Sequence, residues 1–350
     1  MSFTVRDVAR LAGVSPSTVS RALSRPEMIS AGTRERVLDA ARTLGWVPSR
    51  VARSLTSGVT RNIGVVVPDI VNPFFPPLIR GAQQEAWRRG FGVLLGDSDE
   101  DREREMQVAE ELAAQVDGIV LMSSRLSGRQ VASLRERCEV VLVNRVVRGA
   151  RCVLVDSAPS VRKVVRHFAS CGHRAAHYVS GPEGSWSNGQ RLAAFEEECD
   201  AVGIAQAVLA PSVGAFERGR ACVDDLLAAG ATAVLAYDDI TAIGILAGLA
   251  ERGVRVPRDV SVVGCDDIPM AGQLGLATIG APAATVGALA SGLLVDGVLG
   301  SSRSEPPSGR TVRVPTTLLL RRSAGPATGA RSRAARDRSH PGGSAATRAT

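Results

Sequence analysis

Hydrophobic residues change their spacing along this chain, and each change marks a different kind of element. From residue 4 to residue 23, Val5, Val8, Leu11, Val14, Val19 and Leu23 recur at helical intervals, on faces that can form one small core. Thr4 and Asp7 have the spacing of a capping box, which starts a first helix. Gly13 ends it, where a left-handed backbone is cheap only for glycine. Ala9 is small where two helices must cross closely. Ser15 then caps a second helix, and Pro16 suits its first turn because that N–H needs no partner. A third helix begins near Ser30, passes through Thr33, Val37, Leu38, Ala41 and Leu44, and stops at Gly45. Residues 46–58 keep a helical period but are too short to fold alone, so they read as a hinge bounded by Pro48 and Gly58.

From residue 62 the pattern becomes apolar runs alternating with amphipathic helices. The predicted strands are 63–67, 93–95, 118–122, 140–143 and 153–155, with helices near 77–89, 101–115 and 128–137. A second set follows, with strands near 176–180, 207–209, 233–236 and 261–265 and helices near 160–171, 187–202, 216–228 and 240–252. Buried strands alternating with helices make parallel sheets from βαβ units. Two such sets predict a two-lobed α/β body of two doubly wound parallel-sheet subdomains. A last helix near 285–299 and strands near 311–314 and 317–320 complete it. Beyond Arg322 almost no large apolar residue occurs, which predicts disorder. The expected division is an all-α helix-turn-helix headpiece over 1–46, a hinge helix and linker over 47–61, the body over 62–322 and a disordered basic tail over 323–350.

Charge sharpens this division. Residues 1–61 hold ten arginines against four acidic side chains, and residues 321–350 hold seven against one, while the segment between is mildly acidic. A basic headpiece on a body that does not seek phosphate suits double-stranded DNA as the partner. The six cysteines are scattered, with no C-x-x-C pair and no histidine at metal spacing. They read as small buried hydrophobes in a reducing compartment, and neither a metal nor a cofactor is expected. No apolar run reaches about 18 residues and the N-terminus is a polar helix, so the expectation is a cytoplasmic protein with no membrane partner. A phosphate-binding Walker signature, a dinucleotide glycine motif and a nucleophile elbow are all missing, and no enzyme activity is expected.

Two short helices joined at Gly13 read as a helix-turn-helix, whose second helix enters a DNA major groove. Pro16, Ser17 and Arg21 then lie where side chains meet base edges. Arg21 alone is able to make a bidentate contact to guanine, with a phosphate clamp as its alternative, and Ser17 can reach a base or a phosphate. Thr4, Ser15, Thr18 and Ser20 suit caps and phosphate contacts, which position without specifying. In the hinge, Leu55 is an apolar residue near Arg50 and Arg53 with no evident core to join, packing on the body being the alternative.

The segments Asp7-Val8-Ala9, Ala12-Gly13-Val14-Ser15 and Thr18-Val19-Ser20-Arg21-Ala22-Leu23 are followed by Gly45-Trp46-Val47-Pro48 and Arg50-Val51-Ala52-Arg53-Ser54-Leu55. The body adds Asn72-Pro73-Phe74-Phe75, Gly172-His173-Arg174, Asp238-Asp239-Ile240-Thr241-Ala242 and Asp266-Asp267-Ile268. In this order they resemble the LacI/GalR family of bacterial transcription regulators, over residues 3 to about 322. The resemblance implies a periplasmic-binding-protein-like body and a repressor that binds a pseudo-palindromic operator as a homodimer, with a tetramer left open. It also implies a small-molecule effector between the lobes, and a Leu55 wedged into the minor groove with Ala52 packed beside it. Such a wedge offsets unstacking by exposing more DNA to the protein.

Ligands of open α/β sheets sit at the carboxyl ends of the strands. Asp69, Asn72 and Phe74 follow the first body strand, Arg191 lies one turn inside the helix after Gly181-Pro182, and Asp238 and Asp266 each follow a strand. Carboxylates accept from hydroxyls, an arginine donates and an aromatic face covers C–H surface, so a sugar or sugar derivative is the expected effector. The resemblance carries over to Arg191, Asp238 and Asp266 residue by residue, whereas either Phe74 or Phe75 is left as a core alternative. Three positions depart from the family pattern. Gly214 stands where relatives often carry an aromatic, with Phe216 two residues on. Ser185 stands where some purine-sensing relatives place an arginine, which argues against a nucleobase. Asp238 replaces the usual asparagine, which favours a hydroxylated or even a cationic ligand. A solute-binding transport protein would share the two-lobed body, but it calls for a leader and no helix-turn-helix.

Overall fold

The computed structural model describes residues 3–24, 26–46, 59–210, 215–300 and 310–327. The hinge residues Arg50, Ala52, Arg53 and Leu55, together with Gly214 and the chain beyond Ala327, lie outside the described residues. Two units result, one ending at Arg61 and one beginning at Asn62.

The first unit contains α1 (Val5–Ala12), α2 (Pro16–Ser24), a 3-10 turn at Pro26–Met28 and α3 (Ala31–Thr43). The Asp7 carboxylate accepts from Thr4 N at 2.9 Å and from Thr4 Oγ1 at 2.8 Å, which closes the first turn of α1. Gly13 ends α1 at φ 65°. Val8, Ala9, Ala12, Val19, Ala22, Val37, Ala40 and Ala41 are buried together, with Val5, Val14, Leu23 and Trp46 packed around them. The many alanines let the helices approach closely, so little apolar volume suffices. Leu11 departs from the expected core and is 53% exposed. Val5, Val8, Ala9 and Ala12 already fill the inward arc of α1, and Leu11 falls past its edge.

In the second unit, the first lobe carries β1 (Asn62–Val67), β2 (Gly92–Asp97), β3 (Gly118–Met122), β4 (Glu139–Val143) and β5 (Arg151–Asp156). These are joined by α4 (Phe75–Arg88), α5 (Arg102–Ala113) and α6 (Gly128–Arg135). The second lobe carries β6 (Ala175–Val179), β7 (Ala205–Leu209), β8 (Ala233–Ala236), β9 (Ser261–Asp266) and β10 (Ala277–Gly280). Its helices are α7 (Ala158–Ser170), α8 (Trp186–Val202), α9 (Ala215–Ala221), α10 (Val223–Ala228), α11 (Asp239–Glu251) and α12 (Pro269–Leu274). The chain then returns to the first lobe with α13 (Ala283–Gly300) and β11 (Thr311–Pro315), and to the second with β12 (Thr317–Leu319). The first sheet has the order β11-β5-β4-β3-β1-β2 and is parallel throughout. The second has the order β12-β10-β9-β8-β6-β7, with β12 alone antiparallel to its neighbour.

The two lobes are therefore interlaced, because the chain passes between them after β5, after β10 and after β11. At these crossings Thr316 Oγ1 donates to the Asp156 carbonyl oxygen at 3.1 Å and lies 2.8 Å from Ser160 Oγ. The last helix is long and apolar enough to span a membrane by composition alone, yet half of it is buried in the first lobe. It presses on α4 so closely that a Cβ at Gly287 would stand 1.9 Å from the Leu78 carbonyl oxygen. The helix expected over 216–228 is in fact two helices, α9 and α10, that meet at Cys222. Order also extends beyond Arg322, against the expected start of the tail. Val262 N donates to Ser323 O at 2.8 Å, and Gly325 O faces His173 Nε2 at 3.0 Å. Backbone hydrogen bonds hold the small residues there, with Ser323 N donating to Gly275 O at 3.1 Å and Ala327 N to Cys171 O at 2.9 Å, which a composition argument does not see.

Candidate functional site

On the headpiece, Ser15 Oγ accepts from Thr18 N at 3.1 Å and lies 2.8 Å from Ser17 Oγ and 2.9 Å from Thr18 Oγ1. Three hydroxyls thus gather where α2 begins at Pro16, the positive end of its dipole. Ser20 and Arg21 are exposed in the later turns of α2, and among the described residues Arg21 forms no ion pair. Thr4 is exposed at the start of α1.

The second site is a cavity of about 280 Å³ that both lobes line. Asp69, Asn72, Phe74, Arg191, Asp238 and Asp266 all lie in its wall, so strand ends far apart in sequence meet there. Turn chemistry holds the first-lobe members. Asp69 Oδ1 accepts from Val71 N at 2.9 Å, and Asn72 Oδ1 accepts from Phe74 N at 3.0 Å. Phe74 and Phe75 pack edge to face with centroids 5.3 Å apart, and both serve the core and the cavity wall at once.

In the second lobe the centre is a buried pair. Arg191 Nη2 donates to Asp266 Oδ1 at 3.2 Å, Nε donates to Ser157 Oγ at 3.4 Å, and Nη1 donates to the Tyr237 carbonyl oxygen. The same guanidinium stands 4.9 Å from the Tyr237 ring centroid. Burial pushes the Asp266 carboxyl above the usual carboxylate range. Arg191 opposes this, while Asp238 and Asp239 reinforce it. Asp238 caps α11, accepting from Thr241 N at 2.7 Å, so part of its acceptor capacity is already used by the fold. Beside it, Asp239 accepts from Ile268 N at 2.9 Å and from Thr278 Oγ1, and burial raises its carboxyl to about 6. Ser185 caps α8 and lies 3.1 Å from the Tyr237 hydroxyl, which gives it a structural task.

Ser123, Arg125, Asn144, Arg218 and Tyr237 also line the cavity but were not among the expected residues. Ser123 and Asn144 directly follow β3 and β4, both in the left-handed region at φ 51° and 53°. Tyr237 directly follows β8. The strand-end rule that selected Asp69 and Asp266 was therefore enough to find these three. Arg125 sits on a loop, where Nη2 donates to Glu100 and Nη1 to the Ser123 carbonyl oxygen at 2.7 Å. Its role had no sequence signal. Among the described residues no group of three or more His, Cys, Asp or Glu is placed to hold a metal ion.

Residues 4–49 match the family described as bacterial regulatory proteins, lacI family, and residues 165–324 match the periplasmic binding protein-like domain. The HTH-type transcriptional regulator GalS of Salmonella typhimurium (strain LT2) is 32% identical over 308 residues, covering 85% of this chain and 91% of GalS. The ribose operon repressor of Bacillus subtilis (strain 168) is 30% identical over 325 residues, covering 91% of this chain and 98% of that protein. Among solved structures, the CelR–cellobiose complex superposes with a TM-score of 0.68 at 27% identity, over 92% of this chain and 100% of CelR. The chain therefore belongs to the lacI family of bacterial regulatory proteins: it is a transcriptional regulator with a helix-turn-helix headpiece and a two-lobed, periplasmic-binding-protein-like body.

Proposed function

We propose that this protein is a repressor that acts in the cytoplasm as a homodimer, binds a two-fold operator and answers to a sugar-like effector held between its lobes. The observation that carries this reading is the cavity walled by both lobes around the buried Arg191–Asp266 pair. A ligand that touches both walls binds one lobe arrangement better than another, and only such a difference shifts an equilibrium. The three interlobe crossings are where that rearrangement has to pass. The chemistry of the wall suits hydroxyls: carboxylates accept, Arg191 donates and the Phe74 face covers C–H surface. CelR is solved with cellobiose, and the ribose operon repressor is named for a sugar operon.

The headpiece over 1–46 reads the operator, with Arg21 and Ser17 toward base edges and Thr4, Ser15, Thr18 and Ser20 toward phosphates. The hinge over 47–61 joins it to a body that runs from residue 62 through Ala327, and Arg50, Ala52, Arg53 and Leu55 engage the operator centre. Selection by the whole chain from a pool of random duplexes tests this. An inverted repeat whose halves are one helical turn apart is the expected product. A pool that stays random, or a single unrepeated site, overturns the operator reading.

A further inference from the structure

Three arginines line the cavity, and two of them have a carboxylate partner: Arg191 pairs with Asp266 and also meets Tyr237 and Ser157, and Arg125 pairs with Glu100 and also meets Ser123. Arg218 differs. It is 7% exposed, and its Nε and Nη1 are buried without a hydrogen-bond partner among the described residues.

The helix that carries it leaves Arg218 little freedom to leave. A Cβ at Gly219 would stand 1.9 Å from the Thr241 carbonyl oxygen, and one at Gly244 would stand 2.0 Å from the Phe216 carbonyl oxygen. These contacts press one face of α9 onto α11. Ala215 and Arg218, one turn apart, occupy the face that lines the cavity. Of the carboxylates that line the cavity, Glu100 pairs with Arg125, Asp266 with Arg191 and Asp99 with Arg104, while Asp238 caps α11 and Asp69 accepts from Val71 N.

A buried guanidinium with unmet donors is costly, so the site is built for a partner that comes and goes. A guanidinium pairs with carboxylate and phosphate oxygens through charge-assisted hydrogen bonds, which are stronger than those to a neutral hydroxyl. We infer that the effector carries an anionic group, a carboxylate or a phosphate, that docks on Arg218, so that the ligand is a sugar acid or a sugar phosphate and not a neutral sugar. This rests on the sugar-effector reading of the cavity. It also turns away from the cationic ligand that Asp238 alone suggests, since that carboxylate serves α11.

The test compares the whole chain with its Arg218→Gln variant by thermal shift and calorimetry. The probes are D-glucose, D-galactose and D-ribose, the corresponding uronates and aldonates, their monophosphates, and inorganic phosphate and acetate as bare anions. The charged sugars should bind the wild type more tightly than their neutral parents by roughly tenfold or more. Arg218→Gln should erase that advantage, so that each charged sugar binds the variant no more tightly than its neutral parent. The variant should also melt higher than the wild type without ligand, because it removes an unpaired buried charge, whereas an arginine with a structural role would give the opposite shift. A preference for carboxylates over phosphates, or the reverse, identifies the group. Neutral sugars binding as tightly as charged ones, or charged-sugar affinity unmoved by Arg218→Gln, overturns the inference and leaves the sugar reading standing. Stabilisation by bare anions that is lost in Arg218→Gln, with no response to any sugar, upholds the anion site and overturns the sugar reading.

Discussion

Replacing Arg191 with leucine isolates what the buried pair at the centre of the cavity contributes. The wild-type guanidinium meets Asp266 at 3.2 Å and also satisfies the Tyr237 carbonyl and the Ser157 hydroxyl, and Arg191, Asp266 and Ser157 are all buried. Breaking one side of a buried pair costs about 3–5 kcal/mol, because the remaining charge has no partner. Arg191→Leu should therefore lower the stability of the body by that amount at pH 8. Asp266 offers an escape that makes the argument checkable. Its carboxyl is already pushed up by burial, and Arg191 is the main influence holding it down. Without Arg191 the folded-state pKa rises further. The variant then recovers stability relative to wild type as pH falls, by about 1.4 kcal/mol for each unit of difference between the two folded-state values. Adding Asp266→Asn removes the stranded charge and should restore about 2–3 kcal/mol at pH 8. Urea unfolding followed by circular dichroism, repeated from pH 5 to pH 8, measures all three proteins. A gap between wild type and Arg191→Leu that stays constant with pH, or a double variant no more stable than the single one, would refute the reasoning.

Asp239 gives a second pH signature. Its carboxyl is raised from 3.8 to about 6 by burial, so its contribution is whole below about pH 4 and is lost as pH climbs through 6. Asp239→Asn stays neutral, and its stability should gain on wild type by about 3 kcal/mol between pH 4 and pH 7; parallel profiles would count against the burial argument. Gly287→Ala should lower the melting temperature although alanine favours helices, because the new Cβ meets the Leu78 carbonyl and forces α13 off α4 at about 1–3 kcal/mol. An unchanged or higher melting temperature would mean that the two helices are not pressed together. Arg21→Ala should weaken operator binding by about 1–3 kcal/mol and relax one base pair per half-site; equal losses on operator and random duplex would make Arg21 a phosphate clamp.

The headpiece was legible because its helices are set by local rules. The Thr4–Asp7 box, the left-handed Gly13 and the Ser15 cap each act within four residues, and all three occur in the structure. Leu11 was misplaced because period alone does not fix where the inward arc ends. In the body, long buried strands announced themselves as apolar runs, whereas β10 and α12 are too short to set up a period. The return of α13 and β11 to the first lobe is a long-range choice that no window of sequence contains. The cavity follows the same split. Residues placed directly at strand ends were open to inference, while Arg125 on its loop and Arg218 on α9 are brought to the wall only by tertiary packing.

The most direct test of coupling between cavity and headpiece is the operator affinity of the whole chain, with and without a saturating sugar from the panel that binds it. Fluorescence anisotropy on the selected inverted repeat should give an affinity changed by roughly fivefold or more, and the sugar's own affinity should change by the same factor when operator is present. Arg191→Leu should bind the same operator with no response to the sugar. A sugar that fills the cavity of the wild type, is lost in Arg191→Leu and yet leaves operator affinity untouched would contradict effector control.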